Sequence, residues 1–266
     1  MKKILFLGDV VGSAGRKFIF EKLAEIRAGT QADFVVINAE NAAAGSGINA
    51  SITRDFIAAG TDAVTLGDHV WDQRGFETDL PKLEKICRPA NLPEENPGAT
   101  HLILTAPDGF RLLVFTVLAQ TFMNPKTSCP FRCAEKKLAD LAGTYDAALV
   151  EIHGEATSEK IAFGRFLDGR AAAVVGTHTH VATADECILP AGTAYQTDVG
   201  MCGPHSGVIG RETQAVLGRF LDGRPRRFEI AEGDVQINGC LISYDETQKR
   251  AVAIERFRLN RESLRL

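Results

Sequence analysis

Ile4-Leu5-Phe6-Leu7-Gly8-Asp9 is a four-residue apolar run broken by a glycine and a carboxylate. Runs of the same kind recur at 34–37 and 63–66, and segments of helical pattern lie between them at 16–27 and 51–59. The resulting β-α-β-α-β alternation predicts an α/β protein with a parallel or mixed sheet, whose ligands gather at the carboxyl ends of the strands. The polar residues that follow each run are therefore the first candidates for function. The run at 4–7 stops at Asp9, too early for a signal peptide or a membrane span.

Working outward, Pro89, Pro93, Pro97 and Gly98 mark 88–99 as a connection, followed by expected strands at 101–105 and 111–117. A helix is expected over 134–142. Ala147-Ala148-Leu149-Val150 leads into Glu151-Ile152-His153, a helical stretch near 157–168 follows, and a strand over 171–176 ends in Gly176-Thr177-His178-Thr179-His180. Beyond 185 the pattern alternates as strands do, apart from a helix near 212–221. No repeat or low-complexity segment interrupts the chain.

The 266 residues include 45% hydrophobic and 24% charged side chains, which excludes a disordered or fibrous chain. A net charge of −4 provides no broad positive field for duplex nucleic acid, so an anionic ligand needs a local site. Six cysteines without a Cys-x-x-Cys pair predict reduced thiols and a cytoplasmic location, with no thiolate metal or redox centre. The glycine-rich start, Gly8 to Gly15, has neither the P-loop nor the dinucleotide-fingerprint spacing. Its glycines are expected to form a tight turn beneath a metal-bound substrate.

Asp9, Asn38-Ala39-Glu40-Asn41, Asp68-His69, His153 and His178-x-His180 each follow an apolar run. Five such clusters at one sheet edge would assemble carboxylate, carboxamide and imidazole donors for divalent cations. Asp9 alone reads equally well as a helix cap or turn residue, and Asn41 as a turn residue. Glu40 between a strand and three alanines needs a cation or a hydrogen-bond partner to offset its desolvation. His153 alone could simply bond a carbonyl. His178 and His180, two apart on an extended strand end, would point to one side. His101 reads as a surface strand residue and His205 as a loop residue that could border the crevice.

These blocks, in this order, resemble the motifs of calcineurin-like metallophosphoesterases, and most closely those of the YmdB-like branch. The carriers are Phe6-Leu7-Gly8-Asp9-Val10-Val11-Gly12, Asn38-Ala39-Glu40-Asn41, Gly67-Asp68-His69 with Trp71-Asp72, His153-Gly154-Glu155-Ala156-Thr157-Ser158-Glu159-Lys160, and Gly176-Thr177-His178-Thr179-His180. The match spans nearly the whole chain, so 1–266 is expected to be a single domain. The resemblance implies a four-layer αββα sandwich with two mixed β-sheets and a dinuclear site. Asp9, Asn41 and His180 would hold one metal, Glu40 would bridge, and Asp68, His153 and His178 would hold the second, with His69 as the proton donor. It also implies hydrolysis of phosphodiesters by a metal-activated hydroxide, with 2′,3′-cyclic nucleotides as the substrate class.

Two positions depart from the branch's pattern: Asp68 stands where it has asparagine, and Gly154 where it has alanine. Asp68 adds charge, so two divalent cations facing Asp9, Glu40 and Asp68 retain a net charge of only +1. Such a site should hold its cations harder but polarise phosphate less. Mixed imidazole and carboxylate donors favour Fe or Mn, with Zn compatible. Asp68 also leaves open a weakly active or inactive regulatory protein that binds metal or nucleotide, and the same fold can serve a phosphomonoesterase. Selectivity loops are expected around 43–49, 120–132 and 200–210, with Phe122, Phe131 and Trp71 as candidates to stack a base. The apolar late strands leave room for a homo-oligomeric interface.

Overall fold

The computed structural model describes residues 1–261; the last five positions of the expected 1–266 domain lie outside the described residues. The chain starts one sheet, builds a second, and returns to finish the first. Strands β1 (Lys2–Leu7), β2 (Asp9–Val10), β3 (Phe34–Asn38), β4 (Ala63–Thr65) and β5 (Ile86–Cys87) open the first sheet. The second comprises β6 (Leu102–Thr105), β7 (Arg111–Leu118), β8 (Ala147–His153), β9 (Ala173–Thr177), β10 (Cys187–Ile188) and β11 (Ala194–Gln196). The chain then returns as β12 (Met201–Pro204), β13 (Val235–Asp245) and β14 (Arg250–Asn260).

Both sheets are mixed. In the first, β1, β3, β4 and β5 run parallel, and β13 joins β1 antiparallel. In the second, β7, β8, β9 and β11 are parallel, with β6 and β10 antiparallel at the two edges. Helices α1 (Gly12–Thr30), α2 (Ala50–Ala58) and α3 (Phe76–Asp79) belong to the first half. Helices α4 (Pro130–Asp140) and α5 (Thr157–Phe166) follow strands of the second sheet, and α6 (Thr213–Asp222) lies between β12 and β13.

Period-two side-chain alternation separates three apolar interfaces. On β1 and β3, Leu5, Leu7, Val35 and Ile37 pack with Phe18 and Leu23 of α1 and with Phe56 of α2. Their neighbours Ile4, Phe6, Phe34 and Val36 face the other way, onto Leu112, Val114, Leu149 and Val175 of the second sheet. On the far side of that sheet, Leu113, Phe115 and Val117 meet Ala134 and Leu138 of α4 and Phe163 of α5. Three interfaces define four layers, the expected αββα sandwich, and explain why both sheets read as unbroken apolar runs.

Several local expectations shift. The helix expected over 134–142 is Pro130–Asp140, because Pro130 supplies a pre-set first turn. His101 precedes β6 and is half-buried, so it is not a surface strand residue. Phe131 is half-buried and packs against the third core, its ring 5.5 Å from both Phe163 and Phe166. Trp71 packs against the first core, whereas Phe122 is exposed. The early glycines serve close packing: a Cβ at Gly8 would strike the Gly200 carbonyl, and one at Gly15 the Cys202 carbonyl.

Candidate metal centre

The strand ends bring all eight predicted residues to one crevice between the sheets. Asp9 lies on β2, Glu40 and Asn41 follow β3, and Asp68 and His69 follow β4. From the opposite sheet, His153 closes β8, and His178 and His180 follow β9. Asp9, Glu40, Asn41 and His153 are all buried.

His153 is the hub. Its Nε2 lies 2.9 Å from Asp68 Oδ1, 3.2 Å from Glu40 Oε1 and 3.1 Å from His178 Nδ1. His178 Nδ1 is in turn 3.2 Å from Asp68 Oδ1. Glu40, Asp68, His153 and His178 thus converge closely enough to hold a cation. A second grouping abuts it: His180 Nε2 lies 3.3 Å from Asn41 Oδ1 and 3.9 Å from Asp9 Oδ2. Asp9 Oδ1 is buried and accepts no hydrogen bond among the described residues, an unsatisfied acceptor that a cation would satisfy. Gly67 leaves room for the cluster, since a Cβ there would collide with Glu40 Oε2 and His153 Nε2. An orphaned carboxylate oxygen, converging O and N donors and a glycine cradle fit divalent cations.

Charge balance accounts for the titration behaviour. Burial drives the Asp9 carboxyl well above the usual carboxylate range, although His153 opposes it. At Glu40 burial acts upward as well, but the His153 imidazole outweighs it and holds the group below its ordinary value. Burial is likewise outweighed at Asp68, which His153 and His178 hold far below. His153 rises well above its ordinary value, because Glu40, Asp68 and Asp9 overcome its desolvation. Without metal, its imidazolium supplies the positive charge that the carboxylates demand. Burial lowers His180.

Of the alternative local roles, the helix cap at Asp9 is not adopted and the turn at Asn41 is. Val11, not Asp9, precedes α1, while Asp9 Oδ2 accepts the His178 N–H at 2.9 Å. Asn41 does shape its turn, through its carbonyl to Gly12 and Gly45 N–H groups, yet its side-chain oxygen faces His180. His178 and His180 depart from the extended geometry expected: β9 ends at Thr177, and φ is +97° and +66° at the two histidines. Sharing one side of a strand does not bring them together; two left-handed residues do. His69 sits apart from the cluster: its Nδ1 is 2.7 Å from Asp72 Oδ2, and its N–H donates to Glu40 Oε2 at 3.1 Å. His205 lines, with His180, a cavity of about 560 Å³.

Sequence reasoning passed over the supports. Glu151 is buried on β8 and accepts hydrogen bonds from Asn38 Nδ2, Thr116 Oγ1 and Thr177 Oγ1 at 2.5–2.7 Å. Thr177 Oγ1 also lies 2.8 Å from His153 Nδ1, so it orients the ring whose Nε2 faces the acids. A carboxylate within an otherwise apolar strand was the available signal. Glu155 Oε2, 3.5 Å from His178 Nε2, lay in a block already noted.

The fold and this acidic, histidine-rich crevice define a phosphoesterase of the calcineurin-like class. A 2′,3′-cyclic-nucleotide 2′-phosphodiesterase of Bacillus subtilis (strain 168) is 43% identical over 258 residues, 97% of each chain. A crystal structure of a hypothetical protein from Thermus thermophilus superposes with a TM-score of 0.90 at 40% identity, covering 97% of this chain and 99% of that one. That of a novel phosphatase from Mycoplasma pneumoniae gives 0.91 at 33% identity, covering 100% and 96%. The model of the YmdB-like protein family matches residues 5–257, and the chain belongs to that family.

Proposed function

We propose that the protein is a two-metal phosphodiesterase that opens 2′,3′-cyclic nucleotides. The observation that carries this is the meeting, in one buried crevice, of acids from one sheet and imidazoles from the other, around an Asp9 oxygen with no hydrogen-bond partner. The named activity of the Bacillus subtilis relative supports the substrate class. Asp9, Asn41 and His180 would hold one cation, Asp68, His153 and His178 the other, with Glu40 between them. Two divalent cations so held supply charge neutralisation at the phosphodiester and a water made nucleophilic near neutral pH. Imidazole and carboxylate donors without thiolate favour Fe or Mn over Zn.

His69 is the proton donor. Burial acts to lower its pKa, but Glu40, Asp68 and Asp72 outweigh it and hold the value above the ordinary one, which favours the protonated ring a proton donor needs. Asp72 fixes the Nδ1 proton, leaving Nε2 to protonate the departing ribose oxygen and make a poor alkoxide leaving group a good one. Trp71 holds the turn against the core beside it.

Six unpaired cysteines support a reducing, cytoplasmic setting. No helix among the described residues is long and apolar enough to cross a membrane. A regulatory protein that binds cations and nucleotide with little turnover is the second reading, favoured by Asp68, whose charge weakens the pull of the site on phosphate. The assay compares 2′,3′-cyclic AMP with adenosine 3′-monophosphate in Mn²⁺, with and without chelator. Chelator-sensitive opening of the cyclic diester is expected. Preference for the monoester would make it a phosphomonoesterase, and bound metal without turnover would favour the regulatory reading.

A further inference from the structure

We propose that the buried Lys160–Asp198 ion pair is a positioning device that fixes the turn carrying His178 and His180, and thereby sets how tightly the imidazole side of the crevice holds cations. The proposal rests on the metal-site reading above. Lys160 projects from α5 and is completely buried, as is Asp198 to within 1%. Lys160 Nζ donates to Asp198 Oδ2 at 2.8 Å and to the Thr177 carbonyl at 2.9 Å. Among the described residues, neither side chain hydrogen-bonds to a side chain of the acid and imidazole cluster.

The pair acts through Thr179, the residue between the two histidines. Asp198 Oδ2 accepts the Thr179 N–H at 3.1 Å and its hydroxyl at 2.8 Å. Asp198 Oδ1 accepts the Gly200 N–H at 2.9 Å, and the Gly200 carbonyl accepts the Asp9 N–H at 3.2 Å. One carboxylate therefore ties the histidine turn to the backbone of the first sheet's leading acid. Left-handed backbone at a non-glycine residue is strained and persists only where its surroundings over-determine it; here two such residues flank the one that Asp198 grips. A buried ion pair is also a weak source of stability, since well-packed apolar residues usually serve as well or better. Its presence beneath this turn is explained by geometry.

The test uses the intact protein, stripped of metal, and measures Mn²⁺ affinity by calorimetry, kcat and KM for 2′,3′-cyclic AMP, and thermal unfolding. In Asp198→Asn, which keeps shape but removes the charge that Lys160 pairs with, Mn²⁺ affinity should fall about 10- to 100-fold, and kcat should fall with KM little changed. Thr179→Val retains the ion pair and loses only the hydroxyl bond; it should weaken Mn²⁺ in the same direction by a smaller factor. Folded Asp198→Asn with Mn²⁺ affinity within about twofold of the parent overturns the proposal. Should Asp198→Asn fail to fold, an unchanged affinity in Thr179→Val does so. A parent protein that binds Mn²⁺ without opening the cyclic diester overturns the phosphodiesterase reading alone, because the affinity comparison needs no turnover.

Discussion

The two sheets contribute different chemistry to the same crevice. The first supplies Asp9, Glu40, Asn41 and Asp68, the oxygen donors; the second supplies His153, His178 and His180, the imidazoles. His69 is the exception, an imidazole on the acid side, and it is the one assigned to proton transfer. Acids buried together on one sheet are costly to ionise: burial raises the Asp9 carboxyl, and the neighbouring Glu40 charge adds to it. Imidazoles brought across from the opposite sheet relieve that cost, and cations at the proposed site would relieve it further. The facing of the sheets is thus what makes the site, and neither half is a site alone.

Exchanging a charge on the acid side has the largest expected effect. Asp9→Asn should reduce metal-dependent turnover by about 10³-fold or more, since it removes the carboxylate whose buried Oδ1 has no hydrogen-bond partner among the described residues; metal analysis with a turnover assay checks both. The exception comes next: His69→Ala should lower kcat by about 10²- to 10⁴-fold while metal content stays near the parent value. Loss of metal along with rate would move His69 into the ligand set and dissolve the distinction between it and the other imidazoles.

Asp68→Asn acts on the acid side in the opposite direction. Removing one charge from the acid side should weaken metal binding by about tenfold and raise kcat several-fold at saturating metal, because a more positive site polarises phosphate better. Calorimetric metal titration beside steady-state kinetics separates the two effects, and a fall in kcat would show that Asp68 is needed for geometry.

The smallest effect is in stability without metal. His153 and Asp9 have pKa values raised on folding, so the folded state binds more protons than the unfolded one. The contribution of His153 is complete below its ordinary value of 6.5 and is lost as pH rises through its folded value. Glu40 and Asp68 are depressed, and theirs is present above the ordinary carboxylate values and lost in acid. Denaturant midpoints of the metal-free protein should therefore peak on the acid side of 6.5 and decline as pH rises through the folded value of His153, and added Mn²⁺ should flatten that decline. A midpoint that rises steadily with pH in the absence of metal would contradict the charge balance described.

What was legible in the sequence follows the same division. Asp9, Glu40-Asn41 and Asp68-His69 could be read because parallel strands put functional residues just past their carboxyl ends, and each apolar run ends at such a residue. The imidazole side was legible in identity but not in shape: nothing in Thr177-His178-Thr179-His180 announces left-handed backbone, since that conformation is imposed by Asp198, Asp9 and the Ile209 carbonyl. Glu151 and Lys160 lie within segments whose pattern speaks of core, and a buried polar side chain is recognised only when its distant partners are known. Asp198 follows β11 just as the site acids follow their strands, so the same rule reaches it; what distinguishes it is Lys160, from a helix 38 residues earlier.

The most direct test of the account places one variant on each side of the crevice, Asp9→Asn and His178→Ala, and measures bound metal per chain together with opening of 2′,3′-cyclic AMP. If oxygen donors from one sheet and imidazoles from the other form a single centre, both variants lose metal and turnover together while the parent's turnover is abolished by chelator. Turnover that survives chelation, or full metal content in both variants, would contradict it.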